Sequence, residues 1–310
     1  MNRSLLILAL LALPLTAAEP AKKVLYIGID GTRFDSIEKA ETPNLDALVK
    51  DGIHSPTCLI LGERYRKNDT VSGPGWSSIL TGVWADKHGV HDNRFVGGKY
   101  EGFPHFFVRL KEQRPAARTV SHVTWEPIHK YITKSADVSV NYEEKAHGVL
   151  DYDRYDNAAV AASAKELAEG NPDALFVYIG QVDVAGHTHG FHPAVPQYIE
   201  AIERADKLVG QLTAAMKSRK TLADEDWLVI VISDHGGKGK GHGNGHTSPE
   251  ILNSFLIVSG ASAERGEFQE QTFLVDGPVT ALQHLGVRLQ DEWQLDGRSR
   301  GLRKQAAEGR

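Results

Sequence analysis

Three short runs of almost purely apolar residues, far apart in the chain, constrain its fold most strongly. They are residues 24–29 (VLYIGI), 174–179 (ALFVYI) and 227–232 (WLVIVI). Unbroken apolar runs of this length are typical of parallel strands that are covered on both faces. Helical patterns separate them, the longest at residues 155–169 and 196–217. The alternation predicts one α/β domain over residues 19–310, a three-layer sandwich with a mainly parallel central sheet.

The rest of the chain predicts shorter elements. Further strands are expected at residues 119–123, 138–140, 255–258 and 273–275. Helices are expected after Pro43, near residues 106–111 and at residues 278–285. Residues 60–70 are polar and basic, which favours a loop.

The first 18 residues differ from the rest. Arg3 precedes an apolar run from Leu5 to Leu15, and the small residues Thr16, Ala17 and Ala18 follow it. This order is typical of a secretory signal peptide. The run is shorter than the ~20 residues that a membrane-spanning helix needs, although an uncleaved anchor is the alternative. No later segment is apolar enough to cross a membrane, so we expect a periplasmic or secreted protein.

Charge and cysteine content narrow the possible partners. The formal net charge is −5, which gives no broad basic face for polymeric nucleic acid. A small anionic substrate therefore needs local positive charge, which metal ions can supply. Cys58 is the only cysteine, so no intrachain disulfide can form and His and carboxylate side chains must hold any metal. The oligomeric state stays open.

Acidic and histidine side chains follow the three apolar runs. Asp30 follows the first run, Asp183 and His187 follow the second, and Asp234 and His235 follow the third. Because ligands bind at the carboxyl ends of strands in such sheets, we expect these side chains to meet in one crevice. The D-x-x-x-H pair is expected on a glycine-containing loop. A mixture of carboxylate and imidazole suits an ion such as Zn²⁺.

A glycine-rich loop, GGKGKGHGNGHT, follows the third run and adds His242 and His246. It lacks the G-x-x-x-x-G-K-[ST] pattern of a phosphate-binding P-loop. Its glycines would instead let the backbone turn so that a histidine points back at the sheet.

Ser72 begins the segment SGPGWSSILTG and precedes an apolar helical pattern. Its position predicts a helix N-cap, with Pro74 in the first turn. Trp76 and Trp84 could stack on a nucleobase, but aromatic residues in such a helix are more often part of the core.

Seven motifs follow one another along the chain. They are IDGTRFD (29–35), TPNLDALVKDG (42–52), SGPGWSSILTG (72–82), HGVHDN (88–93), DVAGHTHG (183–190), SDHGG (233–237) and VDGPVTALQHLGV (275–287). Together they resemble the alkaline phosphatase superfamily and, within it, the type I phosphodiesterase/nucleotide pyrophosphatase branch. The resemblance covers nearly the whole chain after residue 18.

The resemblance implies two divalent metal ions, in the first place Zn²⁺, with Mg²⁺ or Mn²⁺ as alternatives. One ion would be held by Asp30, Ser72, Asp234 and His235. The second would be held by Asp183, His187 and His242, with His246 as the alternative to His242. Ser72 falls at the position of the nucleophile, and Asn93 at that of an asparagine that binds a phosphoryl oxygen.

Elementary chemistry agrees with this assignment. Two divalent ions ~3.5–4 Å apart can stabilise the attacking and leaving oxygens of an in-line displacement. Two dications would balance three aspartates and a Ser72 alkoxide, and the amides of the helix starting at Gly73 would meet the phosphate. We therefore expect a covalent phosphoseryl intermediate at Ser72 that water later hydrolyses.

Departures from related families guide the choice of substrate. Sulfatases of this superfamily carry C/S-x-P-S-R, whereas Gly75 and Trp76 replace the last two residues here. Asn93 favours phosphodiesters or pyrophosphates of the nucleotide type over monoesters. A phosphomonoesterase or a sulfatase-like ester hydrolase is the alternative, and a non-catalytic metal-binding relative is a further one.

Overall fold

The three apolar runs form neighbouring strands at the centre of one eight-stranded sheet. A computed structural model describes residues 19–143 and 151–304; the expected signal peptide, residues 1–18, lies outside them. The strands are β1 (Ala21–Ile29), β2 (Gly52–Leu59), β3 (Thr119–Val123), β4 (Val138–Asn141), β5 (Ala174–Ile179), β6 (Glu225–Ile232), β7 (Asn253–Gly260) and β8 (Gly266–Glu267). Their order in the sheet is β4-β3-β5-β1-β6-β7-β2-β8.

The sheet is mainly parallel, as predicted. Strand β1 pairs in parallel with β5 on one side and with β6 on the other. Gly28 lies opposite Tyr178 in β5 and opposite Ile232 in β6, so the three strands end at the same edge. Strand β7 is antiparallel to both of its neighbours, β6 and β2.

One predicted strand is wrong, and two strands, β2 and the two-residue β8, are absent from the sequence prediction. Strand β2 is absent from the sequence prediction because its segment, GIHSPTCL, has no regular alternation, and its register shifts between Ser55 and Cys58. The predicted strand at 273–275 is wrong: only Phe273 forms an isolated bridge, to Leu59. The Asp276 carboxylate accepts the Phe273 N–H at 3.0 Å, which turns the chain into a helix instead.

Helices cover both faces of the sheet and confirm the three-layer architecture. They are α1 (Phe34–Ile37), α2 (Pro43–Lys50), α3 (Ser72–Thr81), α4 (Ala85–His88), α5 (Phe106–Gln113), α6 (Tyr152–Glu169), α7 (Gln181–His189), α8 (Pro196–Lys217), α9 (Pro249–Leu252) and α10 (Asp276–His284). Two apolar cores result. Helices α3, α5 and α10 pack on one face, and α2, α6, α7 and α8 on the other.

Local sequence explains where the long helices begin. Pro196 opens α8, whose buried face includes Ile202 and Leu208. Helix α6 begins at Tyr152, three residues before the predicted start, because the Asp151 side chain accepts the Arg154 N–H and caps it. Within the described ranges, no helix has both the length and the apolar character that a bilayer crossing requires.

Candidate active site

The predicted ligands meet at the carboxyl edge of the central strands. Asp30 directly follows β1, Asp234 and His235 follow β6 after the single intervening residue Ser233, and Asp183 and His187 lie on the segment after β5. Potential ligand atoms of Asp30, Asp234 and His235 all lie within 4.8 Å of one another. The same limit holds for Asp183, His235 and His242, so His235 belongs to both groups.

The D-x-x-x-H pair lies on a helix, not on the predicted loop. Asp183 and His187 belong to α7, where residues four apart share one face. Their side chains approach to 3.4 Å, Asp183 Oδ2 to His187 Nε2. Gly186, which favoured a loop, lies within this helix, and its lack of a side chain leaves room for the Phe191 ring: a Cβ there would lie 2.2 Å from the ring.

Asp30 is held so that one carboxylate oxygen faces the cluster. Its Oδ2 accepts hydrogen bonds from Tyr178 Oη at 2.7 Å and from Trp76 Nε1 at 2.9 Å. Its Oδ1 is buried, has no hydrogen-bond partner and lies 3.4 Å from His235 Nε2. Trp76 reaches this position because Gly28 has no side chain; a Cβ there would lie 2.3 Å from the indole ring.

Asp183 and Asp234 also point unpartnered oxygens into the cluster. Asp183 Oδ1 and Asp234 Oδ2 are buried without a hydrogen-bond partner. Burial, and then the negative charge of Asp30, raise the pKa of both carboxyl groups well above the usual range. Gly31 allows this crowding, since its φ is +62° and a Cβ would lie 2.6 Å from Asp183 Oδ1.

In all three cluster histidines, ring atom Nδ1 contacts a backbone carbonyl and Nε2 faces the cluster. The Nδ1 atoms of His187, His235 and His242 lie 2.9, 2.8 and 3.0 Å from the backbone carbonyls of Lys240, Gly236 and Thr70. A carbonyl oxygen only accepts hydrogen bonds, so each Nδ1 carries the proton. In the neutral ring the lone pair of Nε2 then faces the cluster, as in metal-binding histidines.

The charge pattern calls for a cation. Burial lowers the pKa of His235, and that of His242 to about 2, so these rings stay neutral. The Nε2 atoms of His187 and His242 are 3.0 Å apart. If both rings are neutral with Nδ1 protonated, this contact brings two Nε2 lone pairs together. These nitrogen lone pairs and the three unpartnered carboxylate oxygens form a donor set that fits a divalent metal ion.

Ser72 lies beside this cluster but does not cap its helix. Helix α3 begins at Ser72 itself, the preceding Val71 occupies the cap position, and no side chain caps it. The Ser72 hydroxyl instead lies 3.2 Å from His235 Nε2, to which it can donate. The N-cap prediction is therefore wrong because this hydroxyl faces the cluster and not the helix amides.

Asn93 lies next to Ser72 across the mouth of the site. The Gly73 N–H donates to Asn93 Oδ1 at 2.7 Å. This amide, predicted to meet a phosphate, is therefore already bonded. Because an N–H must face an acceptor, the Asn93 side-chain NH₂ points elsewhere and remains able to donate.

The remaining candidates lie outside the cluster. His246 Nε2 is bonded to the Asn68 carbonyl at 2.7 Å, which leaves His242 as the glycine-loop histidine in the cluster. Trp76 and Trp84 are buried, 0% and 6% exposed, as expected of core residues.

A pocket of about 110 Å³ opens at the cluster. Its walls contain Asp30, Ser72, Asn93, Trp125, Tyr152, Tyr178, Gly180, Asp183, Val184, His187 and His242. No Lys or Arg is among these residues, within the part of the chain that the structure describes. Sequence reasoning missed Trp125, Tyr152 and Tyr178. Of these, Tyr178 was detectable, because a polar aromatic residue near the end of a central strand lies beside Asp30.

Comparison with known proteins identifies the family. Residues 24–240, more than half of the chain, match the type I phosphodiesterase / nucleotide pyrophosphatase family. The chain belongs to this family. The family is part of the alkaline phosphatase superfamily, so the resemblance found in the sequence is confirmed.

Curated members of the type I phosphodiesterase / nucleotide pyrophosphatase family are longer than this chain. Human ectonucleotide pyrophosphatase/phosphodiesterase family member 7 is 24% identical over 246 residues, which cover 72% of this chain and 49% of the relative. Human bis(5'-adenosyl)-triphosphatase ENPP4 is 25% identical over 240 residues, 69% and 47% of the two chains. The chain thus spans about half the length of these relatives.

Solved structures share the fold. An inactive variant of murine ectonucleotide pyrophosphatase/phosphodiesterase 5, in complex with AMP, superposes with a TM-score of 0.63 at 16% identity, covering 87% of this chain and 96% of the other. A putative sulfatase from Bacteroides thetaiotaomicron superposes with a TM-score of 0.66 at 11% identity, covering 91% and 74%. At these identities the similarity establishes the fold alone.

Proposed function

We propose that this chain is a metal-dependent hydrolase of phosphodiester or pyrophosphate bonds, with Ser72 as the nucleophile. One observation carries the proposal. Three buried carboxylate oxygens without partners and the Nε2 atoms of three histidines converge on one cluster, and the Ser72 hydroxyl lies 3.2 Å from one of these atoms, His235 Nε2. Buried polar atoms are rarely left unpartnered, so this set is arranged to bind a cation.

Two divalent ions, Zn²⁺ first and Mg²⁺ or Mn²⁺ as alternatives, fit the donor set. Asp30, Asp234, His235 and Ser72 would hold one ion, and Asp183, His187 and His242 the other, with His235 near both. When bound, such ions lower the pKa of a hydroxyl and neutralise phosphate charge. The three aspartates would no longer repel one another.

Ser72 and Asn93 perform the steps that belong to the chain itself. Ser72 Oγ loses its proton to the leaving group or to solvent and forms a bond to phosphorus while the bond from phosphorus to the leaving oxygen breaks, which gives a phosphoseryl intermediate. Water then hydrolyses this ester and returns the hydroxyl. The Asn93 side-chain NH₂, oriented by the Gly73 N–H, donates to a non-bridging oxygen of the phosphoryl group.

The pocket favours a diester or pyrophosphate. None of its described wall residues is Lys or Arg, so no side-chain cation is available for the second negative charge of a monoester. Its volume of about 110 Å³ accommodates a phosphoryl group only, and ordinary ligand pockets are larger, about 300–1,000 Å³. The rest of the substrate would extend out of the pocket, past the wall residues Trp125 and Tyr152. A nucleotide-type substrate agrees with the names of the relatives.

Export and domain organisation complete the proposal. Residues 1–18 would direct the chain to the periplasm or outside the cell, and residues 19–310 would form one catalytic domain. The signal-like pattern of residues 1–18 and the relatives named as ectonucleotide enzymes support this location.

Substitution of the nucleophile tests the proposal. In Ser72→Ala, kcat/KM for bis-p-nitrophenyl phosphate should fall by at least about 10³-fold, because no other group takes over the attack. Metal content, from elemental analysis, should be largely retained. Ser78→Ala is the matched control, since its hydroxyl lies on the same helix but contacts His88. Unchanged activity in Ser72→Ala would exclude Ser72 as the nucleophile.

The same assay separates the alternatives. Wild type should hydrolyse bis-p-nitrophenyl phosphate faster than p-nitrophenyl phosphate, and p-nitrophenyl sulfate least. A preference for the monoester or the sulfate would contradict the choice of substrate. Metal binding without turnover of any of the three would favour a non-catalytic relative.

A further inference from the structure

Asp156 is a buried carboxylate that the chemistry at Ser72 does not use. It lies on α6 and is 0% exposed. Its Oδ1 accepts the Thr124 hydroxyl at 2.7 Å and the Gly180 N–H at 3.0 Å. Its Oδ2 accepts the Gly180 N–H at 3.1 Å and the Gln181 N–H at 2.9 Å. All four hydrogen bonds that Asp156 accepts thus come from two segments, the residue after β3 and the start of α7.

The start of α7 matters because this helix carries two of the proposed metal ligands. A carboxylate at a helix N-terminus satisfies amides that have no partner within the helix and interacts favourably with the helix dipole. Asp183 lies two residues after Gln181, and His187 one turn further. The contacts of Asp156 therefore fix the N-terminal end of the short helix that carries Asp183 in its first turn and His187 in its last turn.

The other contacts of Asp156 lead to the pocket wall. Thr124, its hydroxyl donor, immediately precedes Trp125, which lines the pocket. Tyr152, one helical turn before Asp156 on α6, lines it too. One buried side chain thus joins α7 to two further parts of the wall.

We propose that Asp156 is a positioning residue that holds α7 so that Asp183 and His187 meet the rest of the metal cluster. The inference rests on the proposed function, because it assigns Asp156 a role toward the metal ions.

Asp156→Asn replaces one of the two acceptor oxygens with a donor. With the NH₂ at the Oδ2 position it would face the Gly180 and Gln181 N–H groups. With the NH₂ at the Oδ1 position it could donate to the Thr124 hydroxyl, but the Gly180 N–H would keep only its 3.1 Å contact.

The chain offers a matched control in Asp206. This carboxylate is also buried on a long helix, α8, and accepts backbone N–H groups at the start of another helix, α2. The Leu45 N–H donates to Asp206 Oδ1 at 2.7 Å and the Asn44 N–H at 3.1 Å. Helix α2 carries no ligand of the cluster. Asp206→Asn therefore reproduces the structural loss without the proposed effect on the metal site.

Metal titration of the full chain tests the inference. Metal-free wild type, Asp156→Asn and Asp206→Asn are titrated with Mn²⁺ and Zn²⁺ against a chromogenic chelator, with Tm measured in parallel. Asp156→Asn should bind metal about 10–100-fold more weakly, as changes behind metal ligands do. Its kcat for bis-p-nitrophenyl phosphate should fall and recover partly in excess metal. Asp206→Asn should lose similar Tm but shift metal affinity by less than about twofold.

The outcomes separate this inference from the proposed function. An active wild type with equal metal affinity in Asp156→Asn overturns the inference alone. A wild type that binds metal but hydrolyses no ester contradicts the proposed function, and the affinity ratio still decides the role of Asp156. A wild type that binds neither ion overturns the inference. If Asp156→Asn does not fold, Thr124→Val, which removes one donor, should weaken metal binding in the same direction, and an unchanged affinity would contradict the inference.

Discussion

Both ends of strand β6 carry buried charged side chains, but within the described residues these are paired at one end and lack a cationic partner at the other. At its first residue, Glu225 pairs with Arg219 at 2.7 Å, and both side chains are 4% exposed. The remaining donors of Arg219 reach the carbonyls of Leu167 and Gly170 and the side chain of Asn171. Two residues after its last residue lies Asp234, which has an unpartnered Oδ2 and only a histidine ring within ion-pair distance in the described part of the chain.

The difference distinguishes a structural ion pair from a binding site. A buried charge that is paired and fully hydrogen-bonded needs nothing more to be stable. Carboxylates that are buried together without partners repel one another and favour protonation. Such an arrangement persists at functional sites, where a ligand supplies the missing charge. The two ends of β6 should therefore respond oppositely to neutralisation.

Of the changes at the two ends of β6, Asp234→Asn should have the largest effect, a loss of activity. Neutralisation removes a proposed metal ligand, so kcat/KM for bis-p-nitrophenyl phosphate should fall by at least about 10²–10³-fold. The metal-free protein should nevertheless become more stable, by about 0.5–2 kcal/mol, because repulsion with Asp30 and Asp183 decreases. Thermal unfolding in chelator checks this, and a clear decrease in Tm would show that this end of β6 is held by ordinary pairing.

At the other end of β6, Arg219→Met should be destabilising by about 3–5 kcal/mol, because Glu225 then remains buried without its partner. Urea unfolding measures this loss. Activity per folded molecule should stay close to that of wild type, since the ion pair lies at the opposite edge of the sheet. A stability equal to that of wild type would remove the contrast between the two ends.

A smaller effect depends on pH. The Arg219 and Trp227 donors hold the pKa of Glu225 down at about 2 against the opposing effect of burial. A depressed carboxyl pKa stabilises the fold above the unfolded value of about 4.5 and loses this contribution as the pH falls toward about 2. The Tm difference between wild type and Glu225→Gln should therefore be largest near neutral pH and narrow below about pH 4.5. A difference that widens on acidification would contradict the sign.

The sequence predicted the ligand-bearing end of β6, at Asp234, but not the ion pair at its other end. The apolar runs predict β1, β5 and β6, and acidic residues after parallel strands predict where the ligands meet. That Asp183 and His187 lie on a helix was not predictable, because the glycine between them, Gly186, disfavours a helix, and its packing against the Phe191 ring is seen only in the fold.

Other features depend on contacts between distant segments. Nothing near Asp30 in sequence indicates that Tyr178 and Trp76 bind one of its oxygens and leave the other free. The resemblance favoured His242 over His246, but local sequence did not separate them, and only the loop conformation shows that His246 bonds the Asn68 carbonyl instead. Strand β2 was missed because pairing with β7 overrides an irregular segment.

The most direct test of the central claim is hydrolysis by metal-depleted protein. Wild type is treated with chelator, shown by elemental analysis to be metal-free, and assayed with bis-p-nitrophenyl phosphate while Zn²⁺ or Mn²⁺ is added stepwise. We predict no hydrolysis without metal and full recovery at two equivalents per chain. Undiminished hydrolysis by protein that contains no metal would contradict the account.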